Sequence, residues 1–199
     1  MPAQIENEVK LYVPDLGVVE AALLRLGAEL AAPRVLERNQ RFEDNTRSLN
    51  VRGVVLRLRQ DSRARLTYKE PCTWTHDGIG AQFEAEIEVD DFGTTELILK
   101  RLGFVPSVLY EKYRTTYHYN GAEIMLDEMP YGHFVEIEGE SDVIRQIIAE
   151  LGLDDAPRLT VNYITLFQRV KAALNLPFDE LTFDAFKRIT VPPDAITGG

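Results

Sequence analysis

The chain has 199 residues, of which 45% are apolar and 27% charged, so it can form a buried core and is not predicted to be disordered. Its 22 Lys and Arg against 32 Asp and Glu give a net charge of −10, which argues against a general nucleic-acid binder. No apolar run approaches the roughly 18 residues that a membrane span needs. With one cysteine, Cys72, and no basic or apolar leader, the sequence predicts a cytoplasmic protein without internal disulfides.

Alternation of apolar and charged residues, with the period of two that is typical of β-strands, dominates the chain. It is weak in the second segment and clear in the others, which are in chain order Ile5–Val13, Val35–Phe42, Val54–Gln60, Arg65–Lys69, Phe83–Asp90, Glu111–Tyr119, Glu123–Asp127 and His133–Gly139. Short turns such as Asn120-Gly121 join neighbouring segments. About eight strands connected in this way predict an antiparallel sheet.

Three segments between the strands have the apolar spacing of helices. Each begins near an aspartate that could cap it and ends at a Leu-Gly pair, with the boundaries Asp15–Gly27, Asp91–Gly103 and Asp142–Gly152. The apolar stripe of the second consists of Leu97, Ile98 and Leu102. A fourth helix, Tyr163–Leu174, ends a domain predicted over residues 1–174. Residues 175–199 are predicted to form a C-terminal extension, with a short helix that closes one end of the domain or joins a homodimer, and a tail that frays beyond Val191.

The polar faces of the strands carry an unusual number of charges of both signs. The acids are Glu6, Glu8, Glu84, Glu86, Glu88, Asp127, Glu136 and Glu138, and the bases are Lys10, Arg57, Arg59, Lys69, Lys112 and Arg114. If the helices cover the apolar strand faces from outside, these charges line the interior of a curled sheet. The predicted fold is therefore α+β, an eight-stranded antiparallel β-barrel or tunnel with helices packed outside. Since unpaired charges in a dry interior cost several kcal/mol each, we expect the tunnel to be wet and to hold a polyanion with metal ions.

The residues Glu6-Asn7-Glu8-Val9-Lys10 resemble the Glu-x-Glu-x-Lys signature of the CYTH superfamily, the triphosphate tunnel metalloenzymes. Companion motifs follow in the family's order: Leu-Arg-Leu-Arg at 56–59, Leu-Thr-Tyr-Lys at 66–69, Glu84 to Glu88, Glu-Lys-Tyr-Arg at 111–114, Leu-Asp at 126–127 and Gly-His-Phe-Val-Glu-Ile-Glu at 132–138. The similarity spans about residues 5–168. The family includes class IV adenylyl cyclases, thiamine triphosphatases and inorganic triphosphatases.

The resemblance implies a role for each matching residue. The metal ligands, for Mg²⁺ or Mn²⁺, would be Glu6, Glu8, Asp127, Glu136 and Glu138, and the triphosphate would be bound by Lys10, Arg57, Arg59, Lys69, Lys112 and Arg114. The supporting acids Glu84, Glu86 and Glu88 would organise those bases, and the catalytic residues would be Lys10, Glu86 and Glu88, with one acid orienting a water molecule. The sequence departs from the family at 37–42, where Glu-Arg-Asn-Gln-Arg-Phe replaces Gln-x-Asp-x-Tyr-Phe, and at Gln82, where a basic residue is frequent. We expect both departures to lie outside the phosphate and metal set.

The sequence leaves three functions open. A triphosphatase acting on ATP, thiamine triphosphate or tripolyphosphate is favoured because water needs no purine pocket and the sequence shows no clear one. The alternatives are an adenylyl cyclase, which makes cyclic AMP and pyrophosphate, and a non-catalytic module that binds polyphosphate or nucleotide. Trp74 and His76 lie in a predicted loop, Glu70–Ala81, where the indole could stack on a base or simply anchor the loop. His118, His133 and Cys72 are expected to be structural.

Overall fold

The fold is a closed β-sheet with helices around it, and the structure, a computed structural model, describes residues 4–198. The strands are β1 (Gln4–Val13), β2 (Glu29–Asp44), β3 (Val55–Gln60), β4 (Ala64–Lys69), β5 (Thr73–Trp74), β6 (Gly80–Val89), β7 (Phe104–Tyr119), β8 (Ala122–Met129) and β9 (Gly132–Glu138). The helices are α1 (Leu16–Leu26), α2 (Ser48–Val51), α3 (Phe92–Arg101), α4 (Ser141–Glu150), α5 (Tyr163–Leu174), α6 (Phe183–Phe186) and α7 (Pro193–Thr197).

Eight strands close into a ring. Their order is β1-β9-β8-β7-β2-β3-β4-β6, every neighbouring pair is antiparallel, and β6 pairs with β1 to complete the circuit. Closure leaves these strands without free edges, which an open sheet would expose to other chains. The predicted eight-stranded antiparallel architecture is confirmed. The two-residue strand β5, which adds to β6, was not predicted.

The outer face of β1, β8 and β9 forms the main core with α1 and α4. Outward residues such as Leu11, Ile124 and Ile137 are fully buried against helix residues such as Leu23 and Ile147. The predicted capping aspartates begin α1 and α3, where their side chains accept backbone N–H hydrogen bonds, whereas α4 has Glu140 at the cap position and Asp142 in its first turn. This packing confirms the prediction that the apolar faces of these strands point outward, toward the helices.

The helix α3 covers the opposite wall with a different face from the one predicted. Leu99 is buried with Phe42 and Leu58, whereas Leu97, Ile98 and Leu102 are 53%, 53% and 70% exposed. The apolar stripe predicted from Leu97, Ile98 and Leu102 is therefore wrong as a core-facing stripe. Apolar residues occupy both faces of this short helix, so periodicity did not identify the side that contacts the sheet.

The C-terminal segments close one end of the ring. Inward-facing aromatic side chains of the strands, including Tyr110 and Phe134, pack there with Phe167 of α5, Phe186 of α6 and Ile196 of α7. Ile196 is 1% exposed, so the segment beyond Val191 forms a packed helix rather than the predicted frayed tail. Within residues 4–198, none of the helices combines the length and the apolar character that crossing a bilayer requires.

Candidate functional site

The ring encloses a charged cavity of about 1390 Å³. Of the acids and bases predicted to face inward, all except Asp127 line this cavity: Glu6, Glu8, Lys10, Arg57, Arg59, Lys69, Glu84, Glu86, Glu88, Lys112, Arg114, Glu136 and Glu138. Strand β3 shows how the sequence achieves this. Leu56 and Leu58 pack outward under α3, so the alternating residues Arg57 and Arg59 must point inward.

Arg59 is the centre of a buried ion-pair network. Its guanidinium donates to a Glu37 oxygen at 3.0 Å and to Glu86 at 3.2 Å. Glu86 also accepts a 2.7 Å hydrogen bond from the Thr67 hydroxyl and lies 3.6 Å from Arg57. Burial opposes ionisation of Glu86, but Arg59 and Thr67 prevail and lower its pKa. Glu86 therefore holds Arg57 and Arg59 close to each other on the inner face of β3.

Glu37 occupies the middle of the same network, although its sequence motif departs from the family pattern. It is 2% exposed, and its oxygens lie 3.0 Å from Arg59, 3.6 Å from Lys112 and 4.0 Å from Arg114. Burial alone would raise the pKa of Glu37, but Lys112, Arg114 and Arg59 lower it strongly. Position 37, where the sequence departs from the family motif, therefore lies among the charged residues of the cavity and contacts predicted phosphate-binding bases, which corrects the expectation that it lies apart from them. The signal that could have found it is the inward alternation of residues 37, 39 and 41.

Asp127 lies behind the cavity wall, where it anchors two bases. It is fully buried and accepts hydrogen bonds from Lys112 at 2.8 Å, from Arg114 Nε at 2.7 Å and from the Tyr163 hydroxyl at 2.8 Å. A second Arg114 nitrogen reaches Asp127 at 2.6 Å, which makes the arginine–carboxylate contact bidentate. Both Asp127 oxygens are therefore engaged by protein groups, and α5 contributes Tyr163, which was not predicted as a site residue.

Lys10 lies between an acid and an aromatic ring. Its ammonium is 3.3 Å from Glu136 and 4.3 Å from the centroid of the Tyr163 ring, an arrangement that stabilises the cation. Glu136 also accepts a 2.5 Å hydrogen bond from Arg114. Despite burial, Lys10 and Lys112 hold the pKa of Glu136 well below its ordinary value. Glu136 is thus a buried carboxylate at the boundary between the bases and the remaining acids.

Glu8 and Glu138 face each other on neighbouring strands, in register across β1 and β9. Burial raises the pKa of Glu138 to about 8, because the opposing effects of Lys69 and Arg114 do not offset it and Glu8 and Glu136 add to it. The ionised form of Glu138 is therefore disfavoured in the empty cavity, and a hard divalent cation bound to its oxygens would favour that form, so the donor set fits Mg²⁺ or Mn²⁺. In the part of the chain that the structure describes, no group of three or more His, Cys, Asp or Glu side chains converges on a single metal position.

The remaining predicted residues lie toward the two ends of the cavity. Lys69 forms an ion pair with Glu84, and Glu88 pairs at 2.9 Å with Arg63 at the more exposed end. Arg65, which sequence inspection left out of the set, lines the cavity and pairs with Asp61. It could have been found because it shares the inward face of β4 with Lys69.

Trp74 and Cys72 line the cavity beside Gly80. A Cβ at Gly80 would lie 2.2 Å from Cys72 Sγ and 2.7 Å from the Trp74 ring, so only glycine allows this close packing. Burial raises the pKa of Cys72 to about 12, in agreement with a structural thiol. His118 contacts Glu123 at 3.3 Å, and His133 contacts the Pro14 carbonyl at 3.3 Å.

The CYTH domain family model matches residues 4–160. The chain belongs to the CYTH family. A search of curated proteins returned no match. The family assignment agrees with the ring of strands and with the order of the inward charges along them.

Solved structures resemble the chain over most of its length. A conserved hypothetical protein of Pyrococcus furiosus is 25% identical, with a TM-score of 0.65 over 79% of this chain and 97% of that one. A candidate adenylate cyclase of Vibrio parahaemolyticus is 16% identical, with a TM-score of 0.68 over 83% and 98%. A candidate adenylyl cyclase of Hippeastrum, described as having a dominant triphosphatase activity, is 18% identical, with a TM-score of 0.60 over 82% and 95%. These likenesses establish the shared tunnel fold.

Proposed function

We propose that the protein is a divalent-metal-dependent triphosphatase. The observation that supports this most directly is the convergence of the predicted phosphate-binding bases, Lys10, Arg57, Arg59, Lys69, Lys112 and Arg114, on one cavity inside the ring. Arginine and lysine in a partly dehydrated cavity bind phosphate oxygens through charge-assisted hydrogen bonds. The triphosphatase activity described for the Hippeastrum protein, which has the same fold, agrees with this proposal.

The bases would act by neutralising charge where it develops during phosphoryl transfer. Phosphoryl transfer depends mainly on positioning and on electrostatic stabilisation, so bases already held in place by acids lower the barrier without reorganising. Glu86 holds Arg57 and Arg59, and Asp127 holds Lys112 and Arg114. We assign Lys10 a catalytic role as well, as a cation held beside Glu136. Glu88 is more than half exposed and paired with Arg63, so Glu86 is the better candidate to orient water.

The metal would be held by Glu6, Glu8, Glu136 and Glu138. When bound, Mg²⁺ or Mn²⁺ would neutralise the substrate's phosphate oxygens and stabilise the leaving group's charge. Asp127 was predicted as a further ligand, but unlike Glu136 it does not line the cavity, and its two oxygens contact Lys112, Arg114 and Tyr163. We therefore assign Asp127 the role of a positioning residue for the two bases.

The second candidate, an adenylyl cyclase, would need a surface that holds the purine of ATP. Trp74 lines the cavity, and an indole at this position offers a surface on which a purine could stack. The chemistry would differ in the attacking group, since the ribose 3′ hydroxyl would attack the α-phosphate and expel pyrophosphate. The same surface could also contact the rings of thiamine triphosphate, so Trp74 supports an organic substituent on the substrate without choosing the reaction.

Product analysis separates these functions. The purified protein is incubated with ATP, thiamine triphosphate or tripolyphosphate, each with Mg²⁺ or Mn²⁺, and the products are resolved by chromatography. We expect metal-dependent release of orthophosphate. Cyclic AMP with pyrophosphate would identify a cyclase instead, and binding of all three compounds without turnover would identify a non-catalytic module.

A further inference from the structure

One buried tyrosine hydroxyl differs from the others in having no acceptor for its hydrogen. Residues 4–198 contain four buried tyrosines, and three of them donate the hydroxyl hydrogen to a protein oxygen: Tyr117 to Glu20 at 2.6 Å, Tyr131 to the Tyr163 carbonyl at 2.9 Å and Tyr163 to Asp127 at 2.8 Å. Tyr110 is the fourth and is 6% exposed, but its hydroxyl hydrogen has no acceptor among those residues. Since a buried donor without a partner is costly, the acceptor of this hydroxyl must come from outside the protein chain.

Tyr110 lines the cavity among the bases assigned to the triphosphate. It lies two residues before Lys112 on β7 and therefore on the same inward face, and its hydroxyl oxygen is 3.5 Å from an Arg57 guanidinium nitrogen. Because Arg57 is a donor, this contact occupies the hydroxyl oxygen and leaves the hydrogen available to an acceptor in the cavity. Burial would raise the pKa of Tyr110, but Arg57 and Lys112 lower it. The same two positive charges strengthen the hydroxyl as a donor and favour an acceptor that is negatively charged.

The C-terminal extension holds the strand segment that carries Tyr110. The pairing of β8 with β7 begins only at Tyr113 of β7. Beside Tyr110 the place of β8 is taken by Leu181, which accepts the Glu111 N–H at 2.9 Å. The backbone N–H of Phe183 in turn donates to the Glu111 carboxylate at 3.2 Å. Tyr110 and Leu181 are both buried in the aromatic cluster at the closed end of the ring, so the hydroxyl is held in a fixed position before any ligand binds.

We propose that Tyr110 is a further substrate-binding residue, whose hydroxyl donates a hydrogen bond to a phosphate oxygen bound between Arg57 and Lys112. A phosphate oxygen fits this position because it accepts hydrogen bonds and carries the negative charge that the two bases favour. This role rests on the proposed function, because it requires a triphosphate in the cavity. It adds an uncharged residue to the binding set, one that immediately precedes the Glu-Lys-Tyr-Arg segment and that charge patterning does not identify.

The test removes the hydroxyl and keeps the aromatic ring. The variant is Tyr110→Phe, and the matched control is Tyr117→Phe, because Tyr117 lies on the same strand but contacts Glu20 on the outer face. Calorimetric titration with inorganic tripolyphosphate in the absence of metal should give a Kd about tenfold to a hundredfold higher for Tyr110→Phe than for the wild type, since a hydrogen bond to a charged group is lost. The Kd of the control should change by less than about twofold. With Mg²⁺ present, kcat/KM for tripolyphosphate should fall by a similar factor in Tyr110→Phe only.

Thermal unfolding without ligand separates a substrate contact from a structural role. Tyr117→Phe loses a 2.6 Å hydrogen bond, so its Tm should be about 2–4 °C below that of the wild type. Tyr110→Phe loses a hydroxyl whose hydrogen has no protein acceptor, so its Tm should stay within about 2 °C of the wild type. A Tm for Tyr110→Phe that falls below that of the control would assign the hydroxyl to the folded structure and overturn the proposed contact.

The titrations and the turnover assay distinguish failure of this contact from failure of the proposed function. If the wild type releases orthophosphate and Tyr110→Phe retains its Kd and kcat/KM, the hydroxyl is hydrated by water and does not bind the substrate. If tripolyphosphate binds in a way that depends on Tyr110 but no orthophosphate is released, the contact stands and the proposed function is refuted. Absence of both binding and turnover in the wild type would overturn both.

Discussion

Replacing Arg59 by alanine tests whether the tunnel is stabilised by its own ion pairs. The Arg59 side chain is 7% exposed and contacts Glu37 at 3.0 Å and Glu86 at 3.2 Å. Its removal leaves Glu37, which is 2% exposed, with Lys112 at 3.6 Å and Arg114 at 4.0 Å. From the sequence alone, a lumen crowded with unpaired charges predicts that losing one base leaves the stability of the empty protein unchanged or raises it. The observed pairing predicts the opposite.

The size of the effect follows from burial. Removing one partner of a buried ion pair costs about 3–5 kcal/mol, and the remaining contacts of Glu37 with Lys112 and Arg114 favour the lower end, about 3 kcal/mol. For a protein of about 200 residues, each kcal/mol shifts Tm by about 2–4 °C, so Arg59→Ala should lower Tm by about 6–12 °C without ligand. Activity should also fall, with kcat/KM reduced about tenfold to a hundredfold through the lost phosphate contact.

The assay is thermal unfolding of the ligand-free protein, with Arg63→Ala as the matched control. Arg63 also pairs with an inward strand acid, Glu88, but the two side chains are 59% and 55% exposed. Such pairs contribute about 0–1 kcal/mol, so Tm should fall by less than about 4 °C. A double-mutant cycle of Arg59→Ala with Glu37→Gln should give a coupling energy of about 0.5–3 kcal/mol. If the Tm of Arg59→Ala equals that of Arg63→Ala, or exceeds that of the wild type, the ion-pair network does not stabilise the empty tunnel.

Three further predictions address the metal, the ligand and pH. Glu6→Gln and Glu138→Gln should each abolish turnover and retain the circular dichroism spectrum, because glutamine has nearly the shape of glutamate but lacks the carboxylate that would bind a hard cation. Full activity of both variants in added Mg²⁺ or Mn²⁺ would contradict the metal assignment. Tripolyphosphate with metal should raise Tm by about 5–11 °C at about one hundred times Kd, and no shift at millimolar ligand would mean that the bases do not bind it. In the folded state the pKa of Glu37 lies below its ordinary value of 4.5, so the stability that ionised Glu37 contributes is present above about pH 5 and is lost as the pH falls. The Tm of the wild type should therefore drop more steeply than that of Glu37→Gln between about pH 5 and pH 3. Parallel curves of Tm against pH would contradict this prediction.

The sequence predicted the ring and the inward direction of its charges because strand alternation is a strong local signal. On β3 the alternation of Leu56, Arg57, Leu58 and Arg59 determines which side chains face the core once helices cover one side. The same local reasoning failed for α3, since both faces of that helix are apolar and only tertiary packing selects Leu99. It also missed α7, whose one buried anchor, Ile196, lies in a segment with two prolines and a glycine-rich end.

The partners of the inward residues could not be predicted, because they depend on register between strands distant in the chain. Asp127 was indistinguishable from a metal ligand in sequence, and only the pairing of β7 with β8 places it in register with Arg114. Glu37 was set aside because its motif differs from the family's, although it shares the inward face with Asn39 and Arg41. In both cases the type of residue and its direction were available from the sequence, but the contacts were not.

The ion pairs also determine what substrate binding must accomplish. Each assigned phosphate-binding base already contacts a carboxylate, so a bound polyanion exchanges one partner for another and does not simply fill a repulsive cavity. The affinity of the tunnel is then the difference between phosphate contacts and the carboxylate contacts they weaken, which keeps binding of a highly charged ligand reversible.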